Sequence, residues 1–123
     1  MEIDQNQAQM LREARVLLAQ ARDFLVSSER EQPDAHATLY RVYVEAICNA
    51  WSPRSTILRL AYDLAVRALA DAIPNAAPRR KAACPDHVAV LNYNSSSNTT
   101  RQDLLALFDR ALGAIDEQLA HAS

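Results

Sequence analysis

The chain has 123 residues, half of them hydrophobic and 23% charged, with a formal net charge of −2 at pH 7. That size suits one domain able to bury a core without disulfide staples. The charge excludes a uniformly basic nucleic-acid coat while leaving room for a local basic patch, and the single glycine argues against a fold built on tight β-hairpins, whose turns need positive φ.

Alanine, leucine and arginine are the most frequent residues, and all three favour helices. The first predicted helix runs from about Asp4 to Ser27. Asp4 and Gln7 stand at capping-box spacing. Leu11, Ala14, Leu18, Ala21 and Leu25 form a seam that Met10, Leu17 and Phe24 widen into a bundle-type stripe. Pro33 breaks it. Asp34 is a good N-cap for a second helix, with Leu39, Val42, Tyr43, Ala46, Ile47 and Ala50 facing inward and Trp51 and Pro53 at its end. Cys48 in this run reads as a small buried filler. A third helix starts near Ser55, carries Ile57, Leu60, Ala61, Leu64, Ala65, Ala68, Leu69 and Ala72 on one face, and stops at Pro74.

Residues 74–100 differ in character. Pro74, Pro78 and Pro85 interrupt the first part, and a serine- and asparagine-rich stretch, 94–100, closes the second. Between them His87 to Tyr93 reads as a short helix in a partly ordered loop. The last helix runs from about Thr100 to Ala120, with Thr100 and Asp103 as a capping pair. Leu104, Leu107, Phe108, Ala111, Leu112, Ile115 and Leu119 form its stripe. Gly113 falls inside that stripe and is expected to relieve a close helix contact. The expected fold is all-α: a four-helix antiparallel bundle, one domain over 1–123, with a long, partly ordered loop before the last helix.

The chemistry-bearing residues concentrate in that loop. Residues 54–90 hold six cations against three acids, a local balance of +3. Arg79, Arg80 and Lys81 make a candidate contact for phosphate or an acidic partner. Six residues separate Arg80 from His87; a histidine can exchange protons near neutral pH while an arginine steadies phosphate charge. Tyr62 and Asp63 are candidates for a polar pair facing a cleft. Tyr43 and Trp51 are candidates for an interface; Tyr40, Tyr43 and Trp51 read as core or dimer contacts rather than as a base-stacking platform. Cys84 and His87 are only two metal ligands, and Cys48, His36 and His121 stand in no paired spacing with them, so no metal is expected. There is no glycine-rich phosphate loop, and no cofactor is expected. No apolar run approaches the roughly 18 residues of a membrane span. The N-terminal MEIDQNQAQ is acidic and polar, unlike a signal peptide, so a cytoplasmic, reduced protein with no membrane partner is expected.

Leu60-Ala-Tyr-Asp-Leu-Ala-Val-Arg-Ala-Leu69, followed by a basic loop and His87-Val-Ala-Val, resembles the HEPN domain superfamily. Leu17-Leu-Ala-Gln-Ala-Arg22 is similar to the first helix of such domains. The resemblance spans about residues 8–120, with about twenty specific positions. It implies an up-and-down helical bundle, often a homodimer. Many members are metal-independent ribonucleases of toxin–antitoxin or defence systems, with four to six residues between an arginine and a following histidine. Others bind nucleotide, nucleic acid or a partner protein without catalysis. After the Leu60–Leu69 stretch, only Arg80 and His87 fit that spacing. Lys81 after the arginine, the placement of the pair directly after the third helix, and the extra helix over 34–52 depart from the pattern. The resemblance therefore implies a non-catalytic binding or regulatory module first and a ribonuclease with a composite dimer site second; a protein–protein adaptor or chaperone, using an exposed apolar flank of the second helix with Trp51, is a third reading.

Overall fold

The computed structural model describes residues 5–27, 34–49, 54–74, 85–96 and 98–121, excepting the side chains of Gln5, Asn49, Arg54 and Ser55. Five helices follow one another: α1 (Gln5–Ser27), α2 (Ala35–Asn49), α3 (Arg54–Ala72), α4 (Pro85–Ser95) and α5 (Arg101–His121), with no strand among the described residues. The expected all-α class holds. The short helix expected over 87–93 is present and longer, running over 85–95 as a fifth helix. Pro85 occupies its first position, where a missing N–H costs nothing, and Asp86 in its first turn complements the helix dipole.

α1 packs against α2, α3 and α5, and α3 packs against all four other helices. Their shared core contains Leu11, Leu17, Leu18, Leu25, Leu39, Leu69, Leu104, Leu107, Phe108 and Ile115, each essentially inaccessible. Each such side chain contributes about 1.5–3 kcal/mol by leaving water. Buried alanines at 14, 21, 61, 65 and 111 keep the helices close. α1 and α5 run antiparallel: Arg15 pairs with Asp116, and Arg22 pairs with Asp109 at 2.6 Å, so seven residues forward on α1 match seven back on α5. Both pairs are exposed and mark the register more than they stabilise it.

Helix ends follow local chemistry. Asp34 Oδ1 accepts a hydrogen bond from Ala37 N–H at 3.0 Å and caps α2. Thr100 and Asp103 cap α5 reciprocally: Thr100 N–H donates to Asp103 Oδ2 at 2.9 Å, and Asp103 N–H to Thr100 Oγ1 at 3.2 Å. Arg110 Nε donates to the Ala72 carbonyl at 3.0 Å, satisfying an acceptor at the end of α3. Asp4, the capping residue expected to pair with Gln7, lies outside the described residues.

Four burial expectations are corrected. Leu60 is 45% exposed and Phe24 39%, because each lies at the edge of its stripe, where neighbouring helices cover it only in part. Arg41 lies over the Phe24 ring, 5.3 Å from its centroid. Cys48 is a free, exposed thiol, since α2 turns that side away from the core. A Cβ added at Gly113 would meet nothing within 4 Å, so this glycine relieves no close helix contact. No helix among the described residues is long and apolar enough to cross a membrane.

Candidate functional site

α4 lies across the beginning of α2, and this crossing brings two histidines together. His36 is the second residue of α2 and His87 the third of α4. His36 Nε2 and His87 Nδ1 are 2.9 Å apart, a hydrogen bond between side chains 51 positions apart in sequence. Their rings meet edge to face, with centroids 5.2 Å apart. On its other side His87 Nε2 faces Asp63 Oδ1 of α3 at 3.9 Å. That is beyond hydrogen-bond length but within range of a charge interaction. The order along the site is therefore Asp63, His87, His36.

Asn94 anchors the crossing. Its Nδ2 donates to Asp34 Oδ1 at 2.7 Å, and its Oδ1 accepts from Ala35 N–H at 3.2 Å. The same Asp34 that caps α2 thus also ties down α4. The floor is aromatic. Tyr62 is buried and contacts the His87 ring, with centroids 5.5 Å apart. Tyr43 stacks on Tyr62 at 4.4 Å and 17°. Tyr40 meets Tyr62 nearly perpendicularly at 6.2 Å and is 53% exposed.

A single N···N bond needs one donor and one acceptor. A proton on His87 Nε2, facing Asp63, leaves Nδ1 to accept from His36 Nε2–H. Burial lowers the His36 pKa, and the neighbouring His87 lowers it further, against a smaller opposing pull from Asp34. His36 therefore favours its neutral form at neutral pH. Burial also pushes the Tyr62 phenol up to about 12, helped by Tyr40, Asp63 and Tyr43. Tyr62 is thus a protonated hydroxyl, not a base, at neutral pH. Burial raises Tyr43 in the same direction, with Arg59 opposing it. A carboxylate, two bonded imidazoles and an exposed phenol ring can relay a proton, pair with an anion and stack a flat group.

Of the residues singled out from sequence, His87, Tyr62, Asp63 and Tyr43 come together here. Arg79, Arg80, Lys81, Cys84 and Trp51 lie outside the described residues. No group of three or more His, Cys, Asp or Glu side chains among the described residues could hold a metal ion. Sequence reasoning missed His36 as a site residue and Asn94 as an anchor. The one legible signal was a polar–aromatic stripe at His36, Tyr40 and Tyr43, spaced to share one face of α2.

Beside this site, a cavity of about 450 Å³ opens between α1, α3 and α4 and shares Asp63 with it. A second groove of about 530 Å³ between α1 and α2, lined by Phe24, Val42 and Ala46, contains neither histidine. Comparison with protein-family models, with curated proteins and with solved structures returns no match to this chain.

Proposed function

We propose that the chain is a HEPN-like binding module that takes a phosphate-bearing ligand, nucleotide or single-stranded nucleic acid, where α2, α3 and α4 meet. The observation that carries this reading is the hydrogen-bonded His36–His87 pair beside the exposed ring of Tyr40. Imidazoles become cationic partners for phosphate on gaining a proton, and an exposed phenol ring offers a base a stacking face. Arg79, Arg80 and Lys81 precede α4 closely in sequence and supply the fixed positive charge. In this reading α1, α2, α3 and α5 are the four helices of an antiparallel bundle, α4 is an addition before the last, and the unit is a cytoplasmic homodimer with Tyr43 and Trp51 near its interface.

The test is fluorescence anisotropy with a labelled single-stranded RNA in EDTA. Three phosphate contacts on a single strand give a salt slope of about −2, so affinity falls roughly twentyfold from about 50 to 200 mM salt. Replacing Arg79, Arg80 and Lys81 together by alanine flattens that slope. No binding at the lower salt overturns the reading.

The order Asp63, His87, His36 favours a second reading, a metal-independent ribonuclease, because a hydrogen-bonded imidazole pair beside a carboxylate suits general acid–base catalysis. In that case the same RNA is cut in EDTA and His87→Ala abolishes cutting while the fold persists. A stoichiometric protein partner without RNA binding points instead to an adaptor.

A further inference from the structure

The cavity between α1, α3 and α4 differs in chemistry from the histidine site it adjoins. Met10, Leu60 and Leu64 give it apolar walls, while Asp63, Arg67 and Asp86 bring two acceptors and one donor fork. Leu60, Asp63, Leu64 and Arg67 recur at helical spacing, so α3 presents one continuous face to the space. Arg67 has no ion-pair partner among the described residues. Asp86 immediately precedes His87 in the chain, and Asp63 faces His87. The cavity and the histidine site thus meet at Asp63 and at the Asp86–His87 step.

We infer that this cavity is a base subsite selective for guanine, an inference that rests on the nucleotide-binding reading above. Carboxylates accept hydrogen bonds and cannot donate them. Guanine alone among the four RNA bases presents two adjacent donors, N1–H and the N2 amino group, on its pairing edge. Its O6 and N7 are a matched pair of acceptors for a guanidinium. Adenine and cytosine turn a ring-nitrogen lone pair on that edge toward a carboxylate, which repels it. Uracil offers one donor only. The leucines and the methionine cover the faces of the ring, as apolar side chains do around bases held out of a stack. The volume lies within the range of about 300–1,000 Å³ typical of small-molecule pockets.

The experiment is calorimetric titration of the full chain with GMP, AMP, UMP and CMP at low salt, repeated on Arg67→Gln and Asp86→Asn. Circular dichroism of each variant confirms folding. GMP should bind at least about tenfold tighter than AMP, and each variant should reduce that preference about fivefold or more, Arg67→Gln by weakening GMP and Asp86→Asn by weakening GMP while relieving the repulsion of AMP. Arg67 is exposed, so its variant keeps the test valid if Asp86→Asn proves unstable. Equal binding of the four nucleotides overturns guanine selectivity but leaves the module reading intact. A guanine preference that survives both substitutions places the base elsewhere and also overturns the inference. Binding of none of the nucleotides, together with no binding of RNA, removes the underlying reading itself.

Discussion

Replacing Gly113 by alanine is expected to stabilise the protein. Gly113 is exposed and lies within the 21-residue α5, well inside both ends. Glycine in a helix interior costs about 0.8–1 kcal/mol relative to alanine, because the unfolded chain loses more freedom on ordering. The added Cβ meets nothing within 4 Å, so neither a clash nor new packing alters that figure. For a chain of this length the unfolding entropy is about 0.26 kcal/mol/K, which converts the gain into a Tm increase of roughly 3–4 °C. Urea denaturation should show a higher midpoint with an unchanged m-value. A fall in Tm would refute the reasoning and place another surface against this side of α5, most directly a second copy of the chain. Dependence of the Tm change on protein concentration identifies that case.

Phe108→Ala empties the centre of the core where α5 meets its neighbours and should cost about 3–5 kcal/mol, a large part of a typical domain's stability, read as loss of the cooperative urea transition at low denaturant. Thr100→Ala removes one half of the reciprocal cap on α5 and should cost about 1 kcal/mol, read from the same midpoint. His36 prefers its neutral form in the folded chain, so its contribution is fully present above the ordinary histidine pKa of about 6.5. It is lost as pH falls from there through the lower folded value. Urea midpoints measured across that window should drop with pH, and His36→Gln should flatten the slope.

Sequence periodicity located the helices well where the signal is local. Asp34 and the Thr100–Asp103 pair mark helix starts because a cap is a contact between residues three apart. The inner faces of α1 and α5 follow from spacing alone. Spacing gives the direction of a face, however, and not its width. Leu60 and Phe24 match their stripes yet stay partly exposed, because coverage depends on where the neighbouring helices end. Gly113 shows the same limit from the other side: it lies between inward positions but faces outward. Residues 85–95 carried too short an apolar pattern to show how far the helix extends. Their helix is instead tied to α2 through Asn94 and Asp34. The candidate site was half legible. His87, Tyr62 and Asp63 stood out by type and position, whereas His36 has no local link to His87. Their bond spans 51 residues and exists only because α4 crosses the start of α2.

The most direct test of the account is nuclear magnetic resonance of the histidine ring nitrogens followed as a function of pH. The account predicts that His36 gains its second proton below the ordinary histidine range and that His87→Asn shifts the His36 transition upward. A His36 ring that titrates as a free histidine does, unmoved by His87→Asn, would contradict the paired site on which the functional reading stands.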